Sequence, residues 1–212
     1  MDKDCAGEKK ALRKRILALR DALSFDERQR KSAVIQSRLF SLPQFIASRT
    51  VALFVSFRSE VLTESIIRGA LSLSKVIAVP VTDLARKQLS LSRITDYDTD
   101  LAPGTWGIPE PKPDRIRPVT SDELDLVITP GAAFDRQGRR LGYGGGFYDG
   151  LLKSMTVRKP AIDLALALAF ALQIVDEVPF DPSHDQPVDM IITEDEIIDC
   201  KEERNNGWPW LF

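Results

Sequence analysis

Apolar positions in the first forty residues recur at helical spacing. In "KKALRKRILALRDAL", Leu12, Ile16, Leu19 and Leu23 fall at steps of three and four and predict one apolar stripe. Lys9, Lys10, Arg13, Lys14 and Arg20 are assigned to the opposite, solvated face. Ser24 stands three residues before Glu27, a capping-box pattern, and opens a second helix with Val34, Ile35 and Leu39 inward and its end at Pro43. From residue 50 the period changes. "TVALFVSF" is a compact β-rich run that reads as a buried strand. Thr63 caps a short helix, "ESIIRGALSL", and "KVIAVPV" is the next strand. Strand, helix and strand in that order predict parallel pairing through a right-handed crossover.

The alternation in "QLSLSRI" (88–94) predicts a half-exposed strand, followed by a long Pro-, Gly- and Asp-rich connection over 95–120. Connections of that length inside a domain are often functional. "LDLVITPG" (124–131) is a further buried strand, and "FYDGLLKSM" a short helix. "AIDLALALAF" fits strand or helix by pattern, and its context selects a central strand; "DMIIT" (189–193) reads as the last strand. The whole is an α/β chain with a mainly parallel sheet and helices on both faces, taken as one domain over 1–212.

Composition narrows the function classes. The net charge of −2 gives no global basic field for nucleic acid. Cys5 and Cys200 are the only cysteines and form neither a disulfide framework nor a CxxC metal pattern, as expected of a cytoplasmic protein. The N-terminus has no signal-peptide core, and "LALALAFALQIV" (164–175) is too short to span a membrane.

The chemistry concentrates in "RRLGYGGGFYDG" (139–150), which has Gly142, Gly144, Gly145 and Gly146 behind two arginines. A plain turn is one reading. Four glycines in five positions cost backbone entropy unless the backbone must approach something closely. Successive amides between a strand and a helix make an anion nest, and Arg139 and Arg140 add charge at its mouth. Neither GxxxxGK[ST] nor GxGxxG is present, since Phe147 stands where the third glycine would be.

"PGAAFDRQGRRLGYGGGFYDGLL" (130–152) resembles the signature of the 5-formyltetrahydrofolate cyclo-ligase (5,10-methenyltetrahydrofolate synthetase) family. "KKALRKR", "SFRSEVLT", "GTWGIPEP" and "HD…PVD…ITE" resemble other blocks of that family in the same order, over about residues 9–194. The tail, with Trp208, Trp210 and Phe212, lies outside the match; packing on the body, a dimer contact and disorder stay open for it.

The resemblance implies a three-layer α/β sandwich related to ribose-phosphate isomerases and CoA transferases. It implies ATP- and Mg²⁺-dependent conversion of 5-formyltetrahydrofolate, with or without a polyglutamate tail, into 5,10-methenyltetrahydrofolate, ADP and phosphate. The formyl oxygen would be phosphorylated first, and the nitrogen at position 10 would then close the ring. ATP would be held by Lys9, Lys10, Arg13, Trp106 and the loop Arg140, Leu141, Gly142, Tyr143, Gly144, Gly145, Gly146, Phe147 and Tyr148. Val55 and Glu60, with Tyr143 to Phe147, would bind folate, and Asp149 and Asp189 would serve the metal. Without the resemblance, Lys9 and Arg13 read as a solvated helix face, Glu60 as a surface charge, Trp106 as a loop anchor, Asp149 as a first-turn acid and Asp189 as a turn residue. His184 cannot form a triad with its neighbours Ser183 and Asp185 and reads as a turn residue. The family commonly has tyrosine where Phe147 stands. The expected partners are folate and ATP, with no nucleic acid and no membrane, in a monomer or weak dimer. Two other readings remain: a sugar-phosphate isomerase-like enzyme using Glu60 as base, and a folate- or nucleotide-binding module.

Overall fold

The computed structural model describes residues 3–158 and 165–206. Helix α1 (Lys3–Asp21) leads to α2 (Phe25–Ser41), opened by Ser24 and Glu27 in the reciprocal hydrogen bonds of a capping box. Pro43 ends that run and also starts the short α3 (Pro43–Ala47), since proline needs no donor at a first helical position. Strand β1 (Thr50–Leu53), helix α4 (Glu64–Ser72) and strand β2 (Val76–Asp83) form the expected crossover, with β1 and β2 parallel. Thr63 sits at the α4 N-cap, but its hydroxyl accepts the Ser56 N–H at 2.8 Å rather than a helix amide.

Strand β3 (Gln88–Ile94) returns antiparallel to β2. The long connection is not structureless. It folds into α5 (Tyr97–Asp100), the antiparallel pair β4 (Leu101–Pro103) and β5 (Pro109–Pro111), and a two-residue edge strand β6 (Pro118–Val119). Asp100 organises it, accepting from the Thr95 and Asp96 amides and from Arg117. Then follow β7 (Leu126–Thr129), the small hairpin β8 (Ala133–Phe134) and β9 (Arg140–Leu141), and α6 (Phe147–Arg158). The ambiguous leucine–alanine run is a strand, β10 (Ala165–Leu168), within the described residues. Strand β11 (Met190–Ile192) is not the last: β12 (Ile197–Asp199) pairs antiparallel with it and leads into α7 (Cys200–Asn206). The start of the tail therefore joins the body, whereas Trp208, Trp210 and Phe212 lie outside the described residues.

The large sheet runs β12-β11-β10-β7-β1-β2-β3-β6. Its inner five strands are parallel and its borders antiparallel. Alternation along β1 divides the core. Val51 and Leu53 face Ile35, Leu39, Ile66 and Ile67 of α2 and α4, while Ala52 faces Leu151 and Leu152 of α6. Small alanines on the second face let α6 lie close. This is the α/β architecture expected, with helices on both faces.

Two stripe residues differ from expectation: Leu19 and Val34 are exposed. The buried stripe of α1 instead runs Leu12, Ile16, Arg20, at steps of four. Leu12 and Ile16 pack against Ala133 and Leu141 of the small hairpin, which brings α1 across the carboxyl end of the sheet. There β2 lies to one side of β1 and β7 to the other, and such a switch in strand order opens a crevice beyond the strand ends.

Candidate active site

A cleft of about 660 Å³ occupies that crevice. Arg13, Leu17, Arg20 and Asp21 of α1 form one wall, and Val55 and Glu60 follow β1. Trp106 and Ile108 come from the connection after β3, and Arg140, Gly142, Tyr143 and Gly145 to Asp149 close the circle. The volume is in the range of ligand sites, and apolar walls with a few convergent charges are their usual make-up.

The glycine loop runs between β9 and α6. Gly144 has φ +101 and Gly146 φ +70, conformations that a Cβ would strain. The loop is tied to α1 by Arg13, whose Nε donates to the Gly142 carbonyl at 2.8 Å. Arg140 is buried and pairs with Asp149 Oδ1 at 2.6 Å, while its Nε is buried without a partner among the described residues. Asp149 Oδ1 also accepts the Gln186 amide at 3.1 Å. An orphaned guanidinium N–H beside a carboxylate and a glycine loop suits a phosphate group. The donor set also suits a hard cation, because Mg²⁺ commonly takes one or two carboxylates plus phosphate oxygens. Among the described residues no cluster of three or more metal-ligating side chains exists, so those residues offer no all-protein cage.

The opposite part of the cleft is built on Glu60, which is 6% exposed. Its Oε2 accepts the Phe57 amide at 2.8 Å, and Oε1 accepts the Tyr143 hydroxyl. Burial pushes the Glu60 carboxyl above the usual carboxylate range, while the Tyr143 and Phe57 hydrogen bonds and the Arg20 charge pull it back. Burial also raises the Tyr143 hydroxyl well above an ordinary tyrosine, so it stays protonated; the ring itself is exposed to the cleft. Between the two halves Trp106, 60% exposed, meets the Phe147 ring edge to face at 5.9 Å. Phe147 thus fills an aromatic position without a hydroxyl.

Other expected site residues lie elsewhere. Leu141 is buried against Leu12 and Ile16, so it offers the cleft no side chain. Gly144 is outside the cleft lining, and a Cβ there would meet the Arg13 guanidinium at 3.8 Å. Lys9 is in an ion pair with Asp185, and Lys10 is exposed outside the cleft lining. Asp189 is not brought to Asp149. It precedes β11, at the amino end of a parallel strand, whereas the cleft lies at the carboxyl ends. There it accepts the Ala165 amide at 3.1 Å and pairs with Arg204 at 3.2 Å. His184 stands in an exposed turn, 3.0 Å from Asp181.

Arg20 was missed by the charge pattern, which put it on the solvated face. It is 3% exposed and donates to Ser59 Oγ at 3.0 Å and to the Tyr143 hydroxyl at 2.7 Å. Its spacing of four from Ile16 was the available signal.

A family model described as the 5-formyltetrahydrofolate cyclo-ligase family matches residues 6–194. The mouse 5-formyltetrahydrofolate cyclo-ligase is 32% identical over 191 residues, covering 88% of this chain and 94% of its own. The Escherichia coli K12 protein of the same name is 29% identical, covering 90% and 97%. The NMR structure of Aquifex aeolicus 5,10-methenyltetrahydrofolate synthetase has a TM-score of 0.78 at 34% identity, covering 91% of this chain and 93% of its own.

Proposed function

The chain belongs to the 5-formyltetrahydrofolate cyclo-ligase family, ATP-dependent ligases of folate one-carbon metabolism, and from that premise we propose how its cleft divides the work. The nucleotide phosphates lie along Gly142 to Gly146, against Arg13 and Arg140, and 5-formyltetrahydrofolate lies against Glu60, Val55 and Tyr143. The observation that carries this division is the buried Arg140 Nε without a partner, beside Asp149 and the glycine loop.

Asp149 is the residue that would hold Mg²⁺; Asp189, held by Arg204, has no part in the proposal. Bound there, Mg²⁺ supplies positive charge to the phosphate oxygens as the terminal bond breaks. Arg140 and Arg13 neutralise the same charge from the protein side. Lys9, one turn before Arg13, joins them only by exchanging Asp185 for a phosphate.

The formyl oxygen attacks the terminal phosphorus, and ADP leaves. The folate nitrogen at position 10 then bonds to the formyl carbon and loses its proton. The carbon–oxygen bond breaks and phosphate departs with its electron pair, giving 5,10-methenyltetrahydrofolate. The chain's contribution is orientation in a water-poor cleft: Phe54, Val55, Leu89 and Ile108 exclude water, and Trp106 with Phe147 borders the junction of the two ligands.

The test is to mix purified protein with 5-formyltetrahydrofolate, ATP and Mg²⁺ and follow the ultraviolet absorbance of the product. Absence of ATP-dependent product defeats the proposal. Binding of either ligand without turnover identifies a binding module instead, and ATP-independent conversion of a sugar phosphate identifies an isomerase.

A further inference from the structure

We propose that Arg20 is a positioning residue that fixes the direction of the Tyr143–Glu60 hydrogen bond, and thereby keeps Glu60 an acceptor for N–H groups of the folate. The inference rests on the assignment of folate to the Glu60 side.

Two relays leave the buried guanidinium. Arg20 Nε donates to Ser59 Oγ, and Ser59 Oγ donates to Asp21 Oδ1. Arg20 Nη1 donates to the Tyr143 hydroxyl, which donates to Glu60 Oε1. A guanidinium has donors only, and a hydroxyl has one proton. Each hydroxyl must therefore accept from Arg20 and pass its own proton on. The other acceptor near Tyr143 is the Gly131 carbonyl at 3.3 Å, whose two lone pairs are already taken by Gln173 Nε2 at 2.8 Å and Arg20 Nη1 at 3.3 Å. The tyrosine proton goes to Glu60. With the Phe57 amide on the second oxygen, both Glu60 oxygens accept hydrogen bonds that favour the carboxylate, the form that takes a substrate N–H.

Without Arg20 the direction is no longer imposed. The Tyr143 hydroxyl can then accept from a protonated Glu60, a form that burial already favours. The ionisable groups around Glu60 are Arg20 and Asp21 of α1, Arg58 of its own loop, Tyr143 of the glycine loop, and Arg140 and Tyr148 beyond it. Arg20 alone among these cations bonds the hydroxyl. Folate affinity is present above the Glu60 pKa and lost as pH falls through it. Raising that pKa moves the loss to higher pH.

The experiment measures 5-formyltetrahydrofolate binding by calorimetry, and KM for both substrates, between about pH 5.5 and pH 8.5 for wild type, Arg20→Met, Arg20→Lys, Tyr143→Phe and the double variant Arg20→Met/Tyr143→Phe. Arg20→Met is expected to shift the acid limb up by about one pH unit, so affinity at the acid end falls about tenfold more than in wild type. KM for ATP stays unchanged, and Arg20→Lys, still a donor, keeps the wild-type limb. Tyr143→Phe, which leaves α1 intact, shifts the limb in the same direction, and the double variant is no worse than the worse single one. A loss equal at every pH, an equal loss for ATP, additive losses, or an unshifted limb in Tyr143→Phe overturns the inference; the last applies even where Arg20→Met does not fold. Failure of wild type to bind 5-formyltetrahydrofolate would instead refute the functional assignment.

Discussion

Arg140→Met separates the two halves of the cleft. Methionine keeps an unbranched stem and removes the charge, with the guanidinium that stands 5.9 Å from the Tyr148 ring centre. In the folded protein it leaves Asp149 without its guanidinium partner at 2.6 Å. Breaking a buried pair by removing one member costs roughly 3–5 kcal/mol. The Asp149 side chain is 18% exposed and keeps the Gln186 amide, so the loss belongs near about 3 kcal/mol, the lower end of that range. For a chain of this size that lowers Tm by about 6–12 °C, readable by thermal or urea unfolding. The binding effect is separate. A charge-assisted hydrogen bond from the orphaned Nε to a phosphate contributes about 1.5–3 kcal/mol, so KM for ATP rises roughly 10- to 150-fold. The Glu60 side is untouched, so KM for 5-formyltetrahydrofolate stays within about threefold, a difference of roughly 0.6 kcal/mol. An equal rise for both substrates refutes the placement of the nucleotide. An unchanged Tm refutes the energetic weight given to the Arg140–Asp149 pair. Restoring charge balance with Arg140→Met/Asp149→Asn should recover stability but not ATP affinity.

Two further outcomes follow from local geometry. A Cβ at Gly145 would stand 2.6 Å from the Phe147 ring, so Gly145→Ala should push that ring off Trp106. Losing an aromatic pair of about 0.5–1.5 kcal/mol should lower Tm by roughly 1–6 °C, and substrate KM should rise because the displaced ring borders both ligands; an unaltered KM would show that the ring pair does not touch the ligands. Ser24→Ala removes the capping box of α2, outside the cleft lining, and should cost about 1 kcal/mol in urea unfolding while leaving both KM values at wild type; a change in either KM would mean that α2 couples to the cleft.

Strands and helix caps were legible because their signals are local. "TVALFVSF" needs no partner to be identified as buried strand, and Ser24 with Glu27 carries its own hydrogen-bond logic. The crossover from β1 to β2 was legible for the same reason. What escaped was whatever depends on which end of an element faces which. Arg20 was assigned to solvent because charge outweighed spacing, yet Leu12, Ile16 and Arg20 share one buried row, and Leu19 is the residue turned outward. An arginine on the apolar row of a helix lying over a sheet end must find acceptors, and here they are the Tyr143 and Ser59 hydroxyls.

Asp189 shows the same dependence on direction. Its residue type and neighbourhood suit a metal ligand, but a residue just before a parallel strand lies at the amino end of the sheet. Glu60 follows β1, Asp149 lies in the first turn of α6, and both reach the carboxyl-end cleft. Strand polarity therefore separates Glu60 from Asp189: the first, after a parallel strand, is available to ligands, and the second to Arg204 and the Ala165 amide. Replacing Asp189 should then act on stability through α7 and β10, whereas replacing Asp149 should act on the metal and nucleotide. Two carboxylates that the resemblance assigned to one metal are separated because Asp189 enters the sheet at its amino end while Asp149 opens α6 on the cleft.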